Sequence, residues 1–160
     1  MLTACTGAPD GDSAVYRNSA VPIYSSAVLD SARMVGQWRQ VAGFGPQDSA
    51  CRPGGANITA GPQGLRAVLR LCLAGQDQAA AASLLPAGPG RFALADDAWP
   101  EPWWVLWADA DMRTLVIGTP SGRFGFILNR DGTLPADRLA AAREILDWNG
   151  YDLTRLQVWP

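Results

Sequence analysis

The chain alternates apolar and polar residues in short runs, and residues that favour turns separate these runs. The clearest run is 65–73, where every second residue is Leu or Ala and the residues between them include Arg66 and Arg70. Such alternation gives an extended strand one apolar and one polar face. Several short strands with turns between them are typical of antiparallel barrels and sandwiches. The predicted strands are 35–44, 56–60, 65–73, 76–85, 91–95, 103–108, 114–119, 124–129 and 156–159.

One segment near the C-terminus has helical spacing instead. Residues 135–148 predict a helix, because Pro135 suits the first helical turn and Gly150 suits a C-terminal stop. Its apolar stripe should pack on the outside of the sheet. The alanine run 79–82 is compatible by propensity with a helix as well as with a strand. The residues of the stripe are Leu139, Ala142, Ile145 and Leu146.

Length and composition limit the possible functions. At 160 residues the chain is long enough for one domain with a sizeable core. Its 13 basic residues are all Arg and face 15 acidic ones, so the formal net charge is -2 and no basic patch is available for nucleic acid. The absence of His excludes Ser-His-Asp and Cys-His nucleophiles and removes the commonest transition-metal ligand. We therefore expect no metal, no cofactor and no nucleic-acid partner.

The first residues suggest a cellular location. Residues 2–5, Leu-Thr-Ala-Cys, resemble a bacterial lipobox, in which the Cys is lipidated and becomes the mature N-terminus. Residues 1–4 are then a signal-peptide remnant, and acyl chains such as palmitate on Cys5 anchor the protein to a membrane. Thr6 after the Cys, rather than Asp, favours the periplasmic face of the outer membrane. The alternative is a free Cys5 thiol in a disordered tail. We expect residues 1–28 to form a lipobox remnant and flexible tether, and 29–160 to form the domain.

Three motifs occur in an order and spacing that match one family. A Gly-Gln-Trp motif at 36–38 opens the first strand, an Asp-Ala-Asp-Met turn begins the segment 109–120, and Phe-Ile-Leu-Asn-Arg fills 126–130. Together they resemble the lipocalin family over residues 28–160, and especially the bacterial lipocalins that are outer-membrane lipoproteins. The resemblance implies an all-β fold: an eight-stranded antiparallel up-and-down barrel with one C-terminal α-helix and a short final strand.

The resemblance assigns structural roles to Gly36, Trp38 and Arg130. Trp38 and Arg130 would point into the closed end of the barrel, where a guanidinium over an indole makes a cation–π contact worth about 1 to 2 kcal/mol. The alternative role for Arg130 is to anchor the carboxylate of a fatty acid. The chain departs from the family at Met112, where Tyr is usual, and over residues 75–100.

Two further cysteines bracket the first predicted hairpin. Cys72 lies on the outward face of its strand, where Cys51 in the preceding loop could reach it without entering the barrel. A disulfide here would stabilise the fold by about 3 kcal/mol in the entropic model, provided that the compartment is oxidising. Two unpaired thiols are the alternative.

Alternation also selects the residues that would line a ligand cavity. If Trp38 and Arg130 point inward, a period of two places residues 40, 42 and 44 inward on the first strand, and 124, 126 and 128 inward on the eighth. The resemblance places 103, 105 and 107 inward on the sixth. For any single residue, a packed core is the alternative to a ligand contact. The candidate lining residues are Phe44, Leu69, Leu71, Trp103, Val105, Trp107, Phe124 and Phe126.

We therefore expect a binding protein and not an enzyme. The leading hypothesis is a lipid-anchored periplasmic lipocalin, monomeric or weakly dimeric, that binds or transports a small hydrophobic ligand such as a fatty acid or lysophospholipid. A second hypothesis is a structural or stress-response envelope lipoprotein whose barrel its own side chains fill. A third is an enzyme on the same scaffold, with solvated turn or loop carboxylates as acid–base candidates. These carboxylates are Asp96, Asp97, Glu101, Asp109 and Asp111.

Overall fold

A computed structural model describes residues 14–95, 99 and 101–160. No helix in these residues is long and apolar enough to cross a membrane. The elements, in chain order, are a 3-10 helix (Ser31–Met34), β1 (Gly36–Phe44), β2 (Gly55–Gly61), β3 (Gly64–Leu73), β4 (Gln76–Pro86), β5 (Arg91–Ala95), β6 (Trp103–Ala108), β7 (Thr114–Gly118), β8 (Gly125–Asn129), α1 (Ala136–Trp148), a second 3-10 helix (Leu153–Arg155) and β9 (Leu156–Val158).

The first eight strands form a closed antiparallel barrel. Each strand pairs with its neighbour in sequence, and β1 pairs with both β2 and β8 to close the sheet. The short strand β9 adds to β1 outside the barrel. Residues 79–82 lie in β4, where pairing with β3 overrides the helical propensity of alanine. The structure confirms the predicted fold, an eight-stranded up-and-down barrel with one C-terminal α-helix and a short final strand.

Two apolar cores result from this arrangement. The first fills the inside of the barrel and includes Trp38, Leu71 and Phe126. The second lies between the outside of the sheet and α1, where Ala142 and Leu146 are fully buried. Burial of this stripe confirms that the helix packs on the outer surface of the barrel.

Two β-bulges correct the predicted directions of Phe44 and Trp107. The pairing of β1 with β8 shifts between Gln40 and Ala42, and the pairing of β6 with β7 shifts between Val105 and Trp107. A bulge adds one residue to a strand, so every side chain beyond it changes face. Phe44 and Trp107 therefore pack in the outer core and not inside the barrel. The inward placement expected for both was wrong, and so was that of Ala42, which also lies in the outer core beyond the first bulge.

Arg130 closes one end of the barrel. Its guanidinium lies 3.9 Å from the centre of the Trp38 ring, which is the predicted cation–π contact. Its three nitrogens donate to the backbone carbonyls of Met112, Val35 and Arg33, at 2.9, 3.1 and 2.6 Å. The backbone at position 36 has a φ of 127°, and a Cβ there would overlap the Arg130 side chain. Only glycine satisfies both requirements.

Cys51 and Cys72 form the predicted disulfide. Their Cα atoms lie 5.7 Å apart, within the usual range for a disulfide. The bond joins the loop after β1 to the outward face of β3 across a sequence separation of 21 residues. Closing a loop of this length stabilises the folded state by about 3 kcal/mol in the entropic model.

Residues 14–28 contact the barrel, although the sequence predicts a tether up to residue 28. Tyr16 has 1% of its surface exposed and packs against Phe44 in the outer core. The buried guanidinium of Arg17 donates to the carbonyls of Pro120 and Asn149. An aromatic side chain and a hydrogen-bonded arginine thus join this segment to the barrel, while the boundary after residue 28 stays a prediction. Cys5 and the lipobox lie outside the described residues.

The Tyr151 hydroxyl joins the helix end to the turn between β7 and β8. It donates to the Phe124 carbonyl at 2.6 Å and accepts from the Thr119 amide at 3.0 Å. Burial raises the pKa of Tyr151 to about 12. Folding therefore favours the neutral phenol. Its contribution to stability is complete below pH 10 and disappears as the pH rises through about 12.

We expect the free energy of unfolding to fall by roughly 2 to 3 kcal/mol through this group between pH 9 and pH 12. Urea unfolding at several alkaline pH values measures the change. Tyr151→Phe should be less stable at pH 9, because the Thr119 amide loses its acceptor. The variant should lose less stability than the wild type on going to pH 12. Parallel pH profiles for the two proteins would contradict the prediction.

Candidate functional site

A cavity opens at the end of the barrel opposite Trp38 and Arg130. The antiparallel order brings the connections after β1, β3, β5 and β7 to this end. The cavity has a volume of about 350 Å³, near the lower limit for small-molecule pockets. Apolar walls, two amides and one guanidinium make it amphipathic. Its lining residues are Ala14, Leu73, Ala74, Gln76, Gln78, Arg123 and Phe124.

An aromatic column leads from this cavity into the barrel. Phe124 lines the cavity, and its ring centre is 5.7 Å from that of Trp99. Trp99 packs edge-on against Trp103 at 6.2 Å, and Trp103 packs edge-on against Phe126 at 5.4 Å. Edge-to-face geometry at these separations is the favoured arrangement of aromatic pairs. The predicted inward directions of Trp103, Phe124 and Phe126 are correct.

Sequence reasoning missed Trp99. The residue lies in the 75–100 segment that departs from the family pattern, and no strand alternation assigns it a direction. Only the local amino-acid composition could have indicated Trp99, because it lies four residues before Trp103 in the segment of the chain that is richest in aromatic residues. In the structure only 4% of the Trp99 surface is exposed, and the residue belongs to the inner core.

The barrel interior beyond the column is tightly packed. Leu69 lies in the inner core with 4% of its surface exposed, and Leu71 and Val105 have none exposed. Trp103 and Phe126 each expose 1%. Direct water contact with these side chains is therefore almost absent. A ligand that entered past the mouth would have to displace aromatic side chains of the column.

The indole N–H groups of this column have no hydrogen-bond partner among the described residues. In the part of the chain that the structure describes, Nε1 of Trp99 and Nε1 of Trp103 are buried and unpaired. The Nε1 of Trp38, in contrast, donates to the Met34 carbonyl at 2.8 Å. Leaving a buried donor unpaired costs about 1 to 3 kcal/mol. The column can therefore offer donors to a group that enters it.

The described acid–base candidates have structural partners. Asp109 accepts the amides of Arg113 and Thr114 at 2.7 and 2.8 Å through Oδ1. Its Oδ2 lies 2.8 Å from Nε of Arg138 on α1, in an ion pair without hydrogen-bond geometry. Asp109 thus holds a turn and docks the helix.

The other two described carboxylates are also engaged. Asp111 is mostly exposed and lies 3.5 Å from Arg138. Glu101 accepts from the Thr119 hydroxyl at 3.2 Å and lies 3.8 Å from Arg123. Asp96 and Asp97 lie outside the described residues. Within the described ranges no three His, Cys, Asp or Glu side chains cluster as metal ligands would.

Arg130 is placed at the closed end and its donors are engaged there. Burial, followed by the nearby positive charges of Arg113 and Arg33, lowers the pKa of Arg130 from its usual value. All three of its nitrogens donate to backbone carbonyls. The geometry therefore favours a structural role over the alternative role of carboxylate anchor.

The closed barrel, the helix packed outside it and the closing arginine define a lipocalin fold. Residues 90–160 match the family model described as a lipocalin-like domain. These residues contain Trp99, Trp103, Phe124 and Phe126, so the match covers the aromatic column.

Solved structures support the same fold. The major allergen Per a 4 from cockroaches is 10% identical, with a TM-score of 0.64 over 89% of this chain and 95% of the allergen. The siderocalin Ex-FABP, described as functioning through dual ligand specificities, is 15% identical, with a TM-score of 0.58 over 80% of this chain and 94% of that one. No curated protein sequence matches the chain significantly.

Proposed function

We propose that this protein is a lipid-anchored lipocalin that binds or transports a small hydrophobic ligand at the periplasmic face of the outer membrane. The observation that carries the ligand proposal is the amphipathic mouth cavity of about 350 Å³, which adjoins the aromatic column through Phe124. An apolar ligand gains about 0.8 kcal/mol for each methylene group that it buries. Proteins of the lipocalin fold typically bind small hydrophobic molecules, and the proposal extends that property to this chain.

Two features support the proposed location. The Leu-Thr-Ala-Cys sequence at 2–5 provides an acylation site at Cys5, and Thr6 favours the outer membrane. The Cys51–Cys72 disulfide requires an oxidising compartment, and the periplasm is one. Acyl chains on Cys5 would supply the multiple anchors that stable membrane attachment needs.

One observation favours a second candidate function, a structural envelope lipoprotein with a filled barrel. The interior side chains Leu71, Val105, Trp103 and Phe126 expose 1% of their surface or less. An acyl chain could not lie along these residues without moving them. The two candidates therefore differ in whether the column opens when a ligand is present.

Ligand titration separates the two candidates. The full chain, freed of bound lipid, is titrated with a fluorescent fatty acid and with the methyl ester of that acid, and binding of at least one of them should be saturable. Phe124→Ala should weaken binding about tenfold, because Phe124 contacts both the cavity and the column. Trp148→Ala is the matched control, since Trp148 is 76% exposed at the end of α1 and should not affect binding. Absence of saturable uptake by the wild type would support the filled-barrel candidate.

Mass spectrometry tests the anchor. After expression in a bacterial host behind a complete lipoprotein signal peptide that ends in residues 2–4, protein from the membrane fraction should carry a diacylglyceryl group and an acyl chain on Cys5. Cys5→Ser, exported instead behind a cleavable secretory signal peptide, should appear in the soluble periplasmic fraction with the Cys51–Cys72 bond intact. An unmodified Cys5 in the wild type would contradict the anchor while leaving the ligand proposal open.

A further inference from the structure

The unpaired indole of Trp103 points to a chemical requirement on the ligand. Trp103 has 1% of its surface exposed, and no group in the described residues accepts from its Nε1. Buried tryptophans usually pair this donor, as Trp38 does with the Met34 carbonyl. Trp99, in edge-on contact with Trp103, has a second buried unpaired Nε1. Two such donors behind the Phe124 ring that lines the cavity form an arrangement that apolar packing alone does not require.

We propose that the ligand carries a neutral hydrogen-bond acceptor, such as an ester or ketone carbonyl, and that the Trp103 indole N–H binds this acceptor. The inference rests on the proposed function, because it names the class of ligand that the column recognises. The Trp99 indole lies beside Trp103 and provides a second donor to the same class of group. A carbonyl oxygen has two lone pairs and accepts up to two such hydrogen bonds.

The charges around the column favour a neutral acceptor over a carboxylate. Trp103 clusters with apolar side chains in the inner core, and the two buried charged residues of the described ranges, Arg17 and Asp109, lie outside that cluster. Arg130 is at the closed end, where backbone carbonyls engage its donors. Arg123 lies at the mouth, 3.8 Å from Glu101. A carboxylate beside Trp103 would lose its hydration without gaining a counter-charge, whereas a carbonyl needs only a donor.

The position of the column also limits the shape of the ligand. The Phe124 ring separates the mouth cavity from Trp99 and Trp103, so a carbonyl near Trp103 requires the mouth aromatics to move. The cavity of about 350 Å³ can then hold the remaining apolar part of the molecule. A ligand with a medium-length apolar chain and an acceptor near one end would place the acceptor near Trp103 and the chain in the cavity.

Matched probes test the requirement. The full chain is titrated with undecan-2-one, with undecane and with the decanoate anion, in competition with a fluorescent hydrophobic probe. The wild type should bind the ketone about tenfold more tightly than either of the others. Trp103→Phe, which removes this N–H but keeps an aromatic ring, should sharply reduce the preference for ketone over alkane and leave Trp99 as the remaining indole donor. Trp104→Phe is the control, because Trp104 lies on the outer face under Arg91 and should keep the preference.

Indole NMR adds a readout that packing changes alone do not supply. In protein with 15N-labelled indoles, the Trp103 Nε1–H resonance should move downfield with undecan-2-one and stay in place with undecane. Equal affinity of the wild type for ketone and alkane would overturn the inference and leave the proposed function standing. A ketone preference that is undiminished in Trp103→Phe would also overturn the assignment to Trp103. Failure of all three probes to bind would contradict the proposed function itself.

Discussion

Replacement of Arg17 by Met should lower the free energy of unfolding by about 4 kcal/mol. Nε of Arg17 donates to the Asn149 carbonyl at 3.0 Å, Nη1 donates to Pro120 at 2.7 Å, and Nη2 donates to Val21. Met keeps most of the side-chain stem but leaves these acceptors without their donor, at about 1 to 3 kcal/mol for each buried group. Arg17 thus joins the N-terminal segment, the end of α1 and the turn between β7 and β8.

Urea unfolding measures the loss of stability, and hydrogen exchange measures where it occurs. Amides of the N-terminal segment, such as those of Tyr16 and Asn18, should exchange faster in the variant, because they bond Gly122 and Gly150. Arg66→Met is the matched control, since Arg66 is exposed on β3 and its replacement should change stability by less than about 0.5 kcal/mol. Equal stability of Arg17→Met and Arg66→Met would show that residues 14–28 behave as the flexible tether that the sequence predicts.

Replacement of Arg130 by Met should lower the free energy of unfolding by about 3 kcal/mol. The variant loses three hydrogen bonds to the carbonyls of Arg33, Val35 and Met112, together with the cation–π contact to Trp38. The loss is smaller than that for Arg17 because two of these carbonyls are near solvent and water can replace the donor. Urea unfolding monitored by tryptophan fluorescence measures the effect.

Two further variants, Arg130→Lys and Gly36→Ala, test how the Arg130 guanidinium stabilises the closed end. Lysine keeps the charge but presents its donors from one atom, so it should recover less than half of the lost stability. Gly36→Ala should lower the free energy of unfolding of the protein that retains Arg130. The new Cβ would overlap the Arg130 guanidinium, and the backbone at position 36 has a positive φ. In Arg130→Met the same glycine substitution should cost less, since the overlap with the guanidinium disappears. Additive effects of the two substitutions would contradict direct contact between these residues.

The Arg130 variants also test the role of carboxylate anchor. If Arg130 has only a structural role at the closed end, Arg130→Met should change the affinities for decanoate and undecan-2-one by the same factor. Selective loss of decanoate binding would assign the carboxylate to Arg130. The distribution of donors predicts the first outcome, because backbone carbonyls already accept from all three guanidinium nitrogens.

The packed interior and the proposed ligand site are compatible if the mouth aromatics move. Phe124 and Trp99 lie between the cavity and Trp103, and aromatic contacts hold them more than hydrogen bonds do. Displacing such rings costs packing energy, which burial of the ligand and pairing of the Trp103 N–H would offset. The titrations above therefore measure whether the column opens.

The sequence alone determined the strands, the helix and the inner faces of the regular strands. Alternation is a local property: in β3 and β8, where no bulge interrupts the strand, a period of two predicted the inward side chains correctly. The Gly-Gln-Trp motif and Arg130 likewise predicted their contact at the closed end. The positions of Cys51 and Cys72 around one hairpin predicted their disulfide.

Only the tertiary structure decided where this periodicity fails and what fills the barrel. The bulges after Gln40 and Val105 turn Phe44 and Trp107 to the outer core, and a bulge depends on pairing with a partner strand. Arg17 contacts the barrel through the carbonyls of Pro120 and Asn149, which are more than 100 residues away in sequence. Tyr16 packs against Phe44 of β1, and neither contact is visible in the local sequence. Trp99 enters the column from a segment without alternation. Whether a buried donor is paired depends on all the atoms around it, so only the fold could show that the Trp103 indole has no acceptor within the described part of the chain.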